Sequence, residues 1–445
     1  MSTAESSEDR RRRLLVETQG RRLDEAYLHG SIRDDLQTEA ADADPDSIVT
    51  PEMLDQIEEY MDEIEGAGVP PGVLSDRETS QSRAFFSTDA VIIVPGFLAS
   101  SLSDTRRGGL GLIWVSRGLY GSNRFGALRL GAYDGHEADL NPDVRIISTG
   151  GLPLIYDVLR LGLEALRYTT STFGVDWRKD LEIAARGLRD RIKELGGGSK
   201  GYPIHLVAHS QGAMVARRAL QLLKDDLGQE VVRRIVKHLV LLGPANAGSF
   251  SAALAISGDH ESLPMLRKLT FEPTGGFSRV FATMSGLYQL MPWDASRLPS
   301  LGDPEHAVGR PEFWRGKADF DEARLNKYYG WARSIDTAFF NDRTSVILGD
   351  YEGYAGLKTP AGVAFGPDGH LAVTEEYAGD GTVPHCNAVL PGTATYMVAK
   401  TDHPMLPTYR NVVQSVRLIL NGNDPTVGGW ATRMPDDPRA PEYHR

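Results

Sequence analysis

The sequence predicts an α/β fold built on a mostly parallel sheet, and three observations carry the prediction. From Ala84 onward, apolar strand-like runs alternate with amphipathic helical segments. The run Ala90 to Val94 is apolar at every position, the pattern of a strand covered on both faces. Residues Ile204 to Leu223 read as strand, tight turn and helix in direct succession.

Composition sets the outer limits. The 445 residues are 41% hydrophobic and 24% charged, enough for a large core with one domain and an appendage. The 48 basic and 60 acidic residues leave a net charge of -12. No nucleic-acid partner is expected, and tight adsorption to anionic lipid is disfavoured globally.

Residues 1 to 83 read as a polar, charge-rich, helical N-terminal extension. Arg10 to Tyr27 has helical character. A second helix starts with Thr50 as N-cap and Pro51 at the first helical position, and Gly66 ends it. Met53, Ile57, Tyr60, Met61 and Ile64 recur along it at helical spacing. One helix cannot bury such a stripe alone, so it is expected to dock on the catalytic domain or on a partner protein. Ser75 to Arg83 has the composition of a linker.

Beyond it, residues 84–425 form the predicted catalytic domain and residues 426–445 a C-terminal tail. Ala90 to Val94 runs into Pro95-Gly96-Phe97-Leu98, either an ordinary turn or a loop that presents backbone donors. Pro153 to Tyr168 is a predicted helix, and Val236 to Leu242 a predicted strand. Residues of about 249–341 exceed what a bare crossover needs and read as a cap inserted over the site. Within it Phe277, Val280, Phe281, Met284, Leu287 and Tyr288 fall on one helical face. That face either packs on the core or forms a lid or acyl groove, with Phe277, Phe281, Met284 and Tyr288 as the substrate-contact candidates.

The chemistry centres on Ala208-His209-Ser210-Gln211-Gly212. A serine between small residues at a strand-to-helix turn projects its hydroxyl from the sheet, the arrangement of a nucleophile elbow. The pattern arises by chance in roughly one chain in three of this length, so its weight comes from its context. A hydrolytic serine needs two backbone N–H donors for its tetrahedral intermediate, and Phe97 and Gln211 fit those places. An acid and then a histidine should follow, each at a strand end. Asp380, between Gly379 and Gly381, is the expected acid, with Asp350 as its rival. His403, after the predicted strand Thr395 to Lys400, is the expected general base, with His385 as the rival.

With these landmarks in order, the chain resembles the lecithin:cholesterol acyltransferase-like branch of the α/β-hydrolases, which includes lysosomal phospholipases and phospholipid:diacylglycerol acyltransferases. The matching segments are Val94 to Leu98, Asp176-Trp177-Arg178, the Ser210 elbow, Gly379 to Pro384, and His403 with Met405-Leu406. Weaker likenesses lie at Leu112-Ile113-Trp114 and Gly286 to Pro292. Where the family carries a tyrosine before Asp-Trp-Arg, this chain has Val175. The resemblance spans about Ala84 to Gly422. It implies an α/β-hydrolase fold with a cap, no metal or organic cofactor, and Asp176 and Arg178 as braces of the site.

Animal members of that branch carry signal peptides and disulfides. Here Cys386 is the only cysteine, and the apolar run after Arg10 to Arg13 is only Leu14-Leu15-Val16, so a cytoplasmic location is the expectation. The expected activity is hydrolysis of lipid acyl esters, as a lipase or phospholipase, through an acyl-serine. Two further expectations are transfer of the acyl group to an alcohol, and an effector whose N-terminal segment recognises a protein partner and controls the lipase domain. Transient contact with a membrane surface goes with either lipid activity.

Overall fold

The computed structural model describes residues 89–104, 111–114, 124–133, 136–141, 144–166, 168–196, 203–260, 276–317 and 319–444. The two predicted N-terminal helices and the linker lie outside the described residues.

In chain order the elements are β1 (Ala90–Val94), β2 (Ser100–Asp104), β3 (Gly111–Trp114), β4 (Leu130–Tyr133), β5 (His136–Asp139), β6 (Ile146–Gly151), α1 (Pro153–Glu164), β7 (Thr169–Thr172) and α2 (Leu181–Gly196). Then come β8 (Ile204–His209), α3 (Gln211–Leu227), α4 (Gln229–Ile235), β9 (Val236–Leu242), α5 (Phe250–Ser257), α6 (Gly276–Phe281), α7 (Ser285–Leu290) and α8 (Glu322–Tyr328). The chain closes with β10 (Thr344–Leu348), α9 (Tyr351–Ala355), β11 (Thr359–Phe365), β12 (Leu371–Tyr377), α10 (His385–Ala388), β13 (Ala394–Met397), α11 (Arg410–Leu420) and β14 (Thr432–Met434).

The central sheet has the order β14-β13-β10-β9-β8-β1-β7. Every pairing in it is parallel except that of β14 with β13. Period-two alternation divides the strands between two cores. Ala90, Ile92, Val94, Leu206, Ala208, Leu239 and Leu241 face α2, α3 and the segment between β9 and β10. Val91, Ile93, Val207, Val240, Leu242 and Ile347 face α1 and α11. Both faces are covered, which is why these strands read as continuous apolar runs.

The structure corrects two expectations. The C-terminal stretch is more than a tail, because Thr432–Met434 closes the sheet edge beside β13. The apolar face of residues 277–288 is two short helices, not one. Thr283 Oγ donates to the Val280 carbonyl and accepts the Leu130 N–H, and Met284 is non-helical, so side-chain bonds displace the helical ladder there. The chain also leaves the central sheet elsewhere. Besides the excursion between β9 and β10, β2 pairs antiparallel with β3 and β6, β4 pairs with β5, and β11–β12 forms a hairpin.

Among the described residues no helix is long and apolar enough to cross a membrane.

Candidate active site

In a parallel sheet the loops after the strands share one edge, and this edge collects the predicted residues. Ser210 follows β8 with φ 54° and ψ -123°, a backbone conformation that costs energy outside glycine. Its N–H donates to the last carbonyl of β9, at Leu242, and Gly212 lets α3 start directly against β1. A side chain at Gly212 would fall 2.3 Å from the Val94 carbonyl oxygen, so only glycine fits.

His403 comes from the loop after β13, and its Nε2 lies 2.8 Å from Ser210 Oγ. Its Nδ1 lies 2.6 Å from Asp380 Oδ2. Asp380 stands at the foot of the β11–β12 hairpin, where Oδ1 accepts the Val383 N–H at 2.7 Å and the Thr382 N–H at 3.1 Å. The His403 N–H also donates to the Asp380 carbonyl. All three side chains are buried. Burial pushes the Asp380 carboxyl up, yet His403 and the two amides outweigh it and hold the group below its ordinary range. An ionised Asp380 keeps the proton on Nδ1, leaving Nε2 free to accept the serine proton.

The rivals are occupied elsewhere. Asp350 caps α9 through the Gly353 N–H and accepts the Lys400 N–H. His385 points Nε2 at the Gly349 carbonyl, 2.6 Å away, and burial lowers its pKa. Burial pushes the Cys386 thiol up to about 12, which leaves it protonated.

Phe97 lies in the turn after β1. Gln211 is the first residue of α3, where an N–H has no acceptor within the helix. The Gln211 side chain is buried and reaches toward the Trp177 and Gly286 carbonyls. Asp176 and Arg178 do not touch Ser210. Arg178 is fully buried and pairs with Asp176 at 2.8 Å and with Asp139 at 2.8 Å, while its carbonyl accepts the Gly286 N–H. The residue between them, Trp177, packs edge-on against Phe97 with ring centroids 5.2 Å apart. The segment thus contacts both the Phe97 turn and the start of α7.

A pocket of about 400 Å³ opens beside Ser210, lined largely by apolar groups including Phe97, Leu98, Ala252, Phe281, Leu287 and Leu290. Of the four lid candidates only Phe281 lines it. Phe277 packs on Phe125, Met284 is buried in the core, and Tyr288 donates to the Ala282 carbonyl and lies tilted against Phe320. All four are buried in the larger core, and Phe281 alone also borders the pocket.

Sequence reading leaves three residues around Ser210 unassigned, Tyr156, His209 and Trp177, whereas the loop Gly243 to Ser249 that closes β9 is expected to line the site. Gly243 follows β9 with φ 48°, and a side chain there would fall 2.6 Å from Asp380 Oδ2 and 3.0 Å from His403 Nδ1. The signal was present in part, since His209 sits inside the elbow pentapeptide and Trp177 inside Asp-Trp-Arg. Tyr156 carries no local pattern that marks it.

Among the described residues no group of three or more His, Cys, Asp or Glu could hold a metal ion. Residues 149–440 match the profile of the alpha/beta hydrolase family. No curated protein matches the chain. Among solved structures, the chain is similar to a chain of the Tle4–Tli4 complex, at 14% identity and TM-score 0.48, covering 74% of this chain and 97% of that one. It is similar to the Bacillus licheniformis lipase BlEst2 in mature form at 13% identity and TM-score 0.37, with 75% and 90% covered. It is also similar to phospholipase PlaB from Legionella pneumophila at 13% identity and TM-score 0.31, with 71% and 53% covered.

Proposed function

The chain belongs to the alpha/beta hydrolase family, and we propose that it is a serine-dependent hydrolase of lipid acyl esters. The observation that carries this reading is the line Ser210, His403, Asp380 opening into an apolar pocket. Ser210 Oγ attacks the ester carbonyl carbon while His403 Nε2 takes the hydroxyl proton. Asp380 holds the Nδ1–H and stabilises the imidazolium that forms. The Phe97 and Gln211 amides donate to the developing oxyanion. Collapse expels the alcohol, which takes its proton from Nε2. A water deprotonated by His403 then attacks the acyl-serine and releases the acid.

The pocket supports an acyl chain as the group on the acid side of the ester, since its lining offers apolar contact along its length. The likeness to the lecithin:cholesterol acyltransferase-like branch supports a lipid as the substrate. Ser210→Ala should keep the melting temperature and lose about 10³- to 10⁶-fold in turnover of dispersed acylglycerols and phosphatidylcholine. Retained turnover refutes the serine mechanism. A wild-type protein that hydrolyses none of these esters and is not labelled at Ser210 by a fluorophosphonate refutes the function.

A further inference from the structure

The residue before Ser210 is a buried histidine that the scheme above leaves unused. Both nitrogens of His209 are engaged. Nε2 lies 3.0 Å from the His403 carbonyl oxygen, and Nδ1 lies 3.0 Å from the Tyr156 hydroxyl. The same hydroxyl lies 3.0 Å from the Gly96 amide nitrogen. Hydrogen positions follow from which groups can only give or only take. A carbonyl only accepts, so His209 Nε2 carries a proton. An amide N–H only donates, so the Tyr156 oxygen accepts from Gly96. The neutral ring then has a bare Nδ1, which takes the Tyr156 O–H. Three bonds form a chain in which every donor meets one acceptor.

Both groups are held in the charge state this chain needs. Burial first, and then the neighbouring His403, push the His209 pKa down to about 3, so the ring is neutral at physiological pH. Burial raises the Tyr156 hydroxyl above its ordinary range and keeps it protonated. Charging the ring would put a proton on Nδ1 and set it against the Tyr156 O–H.

We infer that Tyr156 and His209 are positioning residues, forming a buried relay that holds the Gly96–Phe97 turn and the His403 backbone in register around Ser210. The relay touches all three parts of the site. Gly96 precedes the proposed donor Phe97 and abuts the nucleophile, since a side chain at Gly96 would fall 2.8 Å from Ser210 Cβ. His209 is bonded covalently to Ser210. The His403 carbonyl belongs to the proposed base, whose ring lies 5.0 Å from that of His209. Tyr156 comes from α1, so a helix on one face of the sheet fixes the order of the loops above its edge. The kinetic consequence rests on the serine-hydrolase reading, whereas the relay itself does not.

Three variants separate its parts. Tyr156→Phe removes the hydroxyl and keeps the ring. His209→Asn keeps an acceptor near the Nδ1 position and loses the donor to His403. His209→Gln keeps the donor and loses the acceptor. For folded Tyr156→Phe, kcat on an ester and the rate of Ser210 labelling by a fluorophosphonate should each fall about 10- to 100-fold, as expected for a sub-ångström to 1 Å misplacement. KM should stay within about threefold, because the acyl contacts remain. Wild-type kcat and labelling in folded Tyr156→Phe overturn the inference. If that variant does not fold, the same two outcomes are read on His209→Gln.

Nitrogen-15 NMR of the histidine rings reads the relay without turnover. His209 should show its proton on Nε2 from pH 7 to pH 5, and the Nδ1 resonance should move in Tyr156→Phe. A proton on Nδ1, or a charged ring at pH 6, overturns the relay even if esters are hydrolysed. Absent ester turnover with the expected NMR result defeats the proposed function and leaves the relay standing.

Discussion

Asp380 Oδ2 lies 2.6 Å from His403 Nδ1, on the side of the ring away from Ser210, whereas Asp350 is tied up as the cap of α9. An amide at position 380 would offer an N–H toward Nδ1 and favour the wrong tautomer. Asp380→Asn should therefore lower kcat by about 10³- to 10⁴-fold with little change in KM. Asp350→Asn keeps a good N-cap and should leave kcat near wild type. Steady-state kinetics on both variants checks this, and the reverse result would move the acid to Asp350.

Gly243 leaves the room that the Asp380–His403 pair occupies. Gly243→Ala adds a methyl group 2.6 Å from Asp380 Oδ2 at a backbone φ of 48°. The variant should lose about 1 to 2 kcal/mol of stability from backbone strain. Displacement of the pair should cost about 100-fold in kcat. Denaturation and kinetics on the same preparation test both effects, and an active Gly243→Ala would mean the pair tolerates displacement.

Phe281 and Phe277 are both buried and stack on each other, but only Phe281 lines the pocket. Each change to alanine should destabilise by about 3 to 5 kcal/mol. Only Phe281→Ala should change the dependence of kcat/KM on acyl chain length, measured over a series from acetyl to long-chain esters. An altered profile in Phe277→Ala instead would place the acyl group on the other side of α6.

His209 takes up its proton in the unfolded chain near pH 6.5 and in the folded chain only near pH 3. Between these values the unfolded state binds the extra proton, so stability is full above about pH 6.5 and falls as the pH drops. The contribution is up to about 1.4 kcal/mol per pH unit. His209→Asn lacks this titration, so its urea-denaturation stability should fall less steeply than wild type between pH 6.5 and pH 4. Parallel slopes would show that the ring charges in the folded protein. Asp380, depressed in the fold, adds a loss of its own at lower pH.

Much of the candidate site is legible in local pattern, because the proposed chemistry needs local geometry. The elbow requires small residues around Ser210, Asp380 needs flanking glycines, and His403 needs a strand end before it. The lid residues were harder. Phe277, Met284 and Tyr288 have helical spacing, but Thr283 breaks the helix with bonds to Val280 and Leu130, a partner 153 positions away. Periodicity cannot register such a contact.

Parallel strands with alternating helices, the strand–turn–helix around Ser210, and the order serine, acid, histidine are properties of neighbouring residues, and the chain states them without its fold. They depend on backbone propensity and on which side of a strand each residue faces. Which carboxylate meets His403, where the helical face of residues 277–288 breaks, and that Tyr156 joins Gly96 to His209 were settled only in three dimensions. Ser210 and His403 are 193 positions apart and lie 2.8 Å from each other because β8 and β13 end on the same edge of one sheet. Strand order, not sequence spacing, sets that distance, and strand order is decided by how the whole core packs.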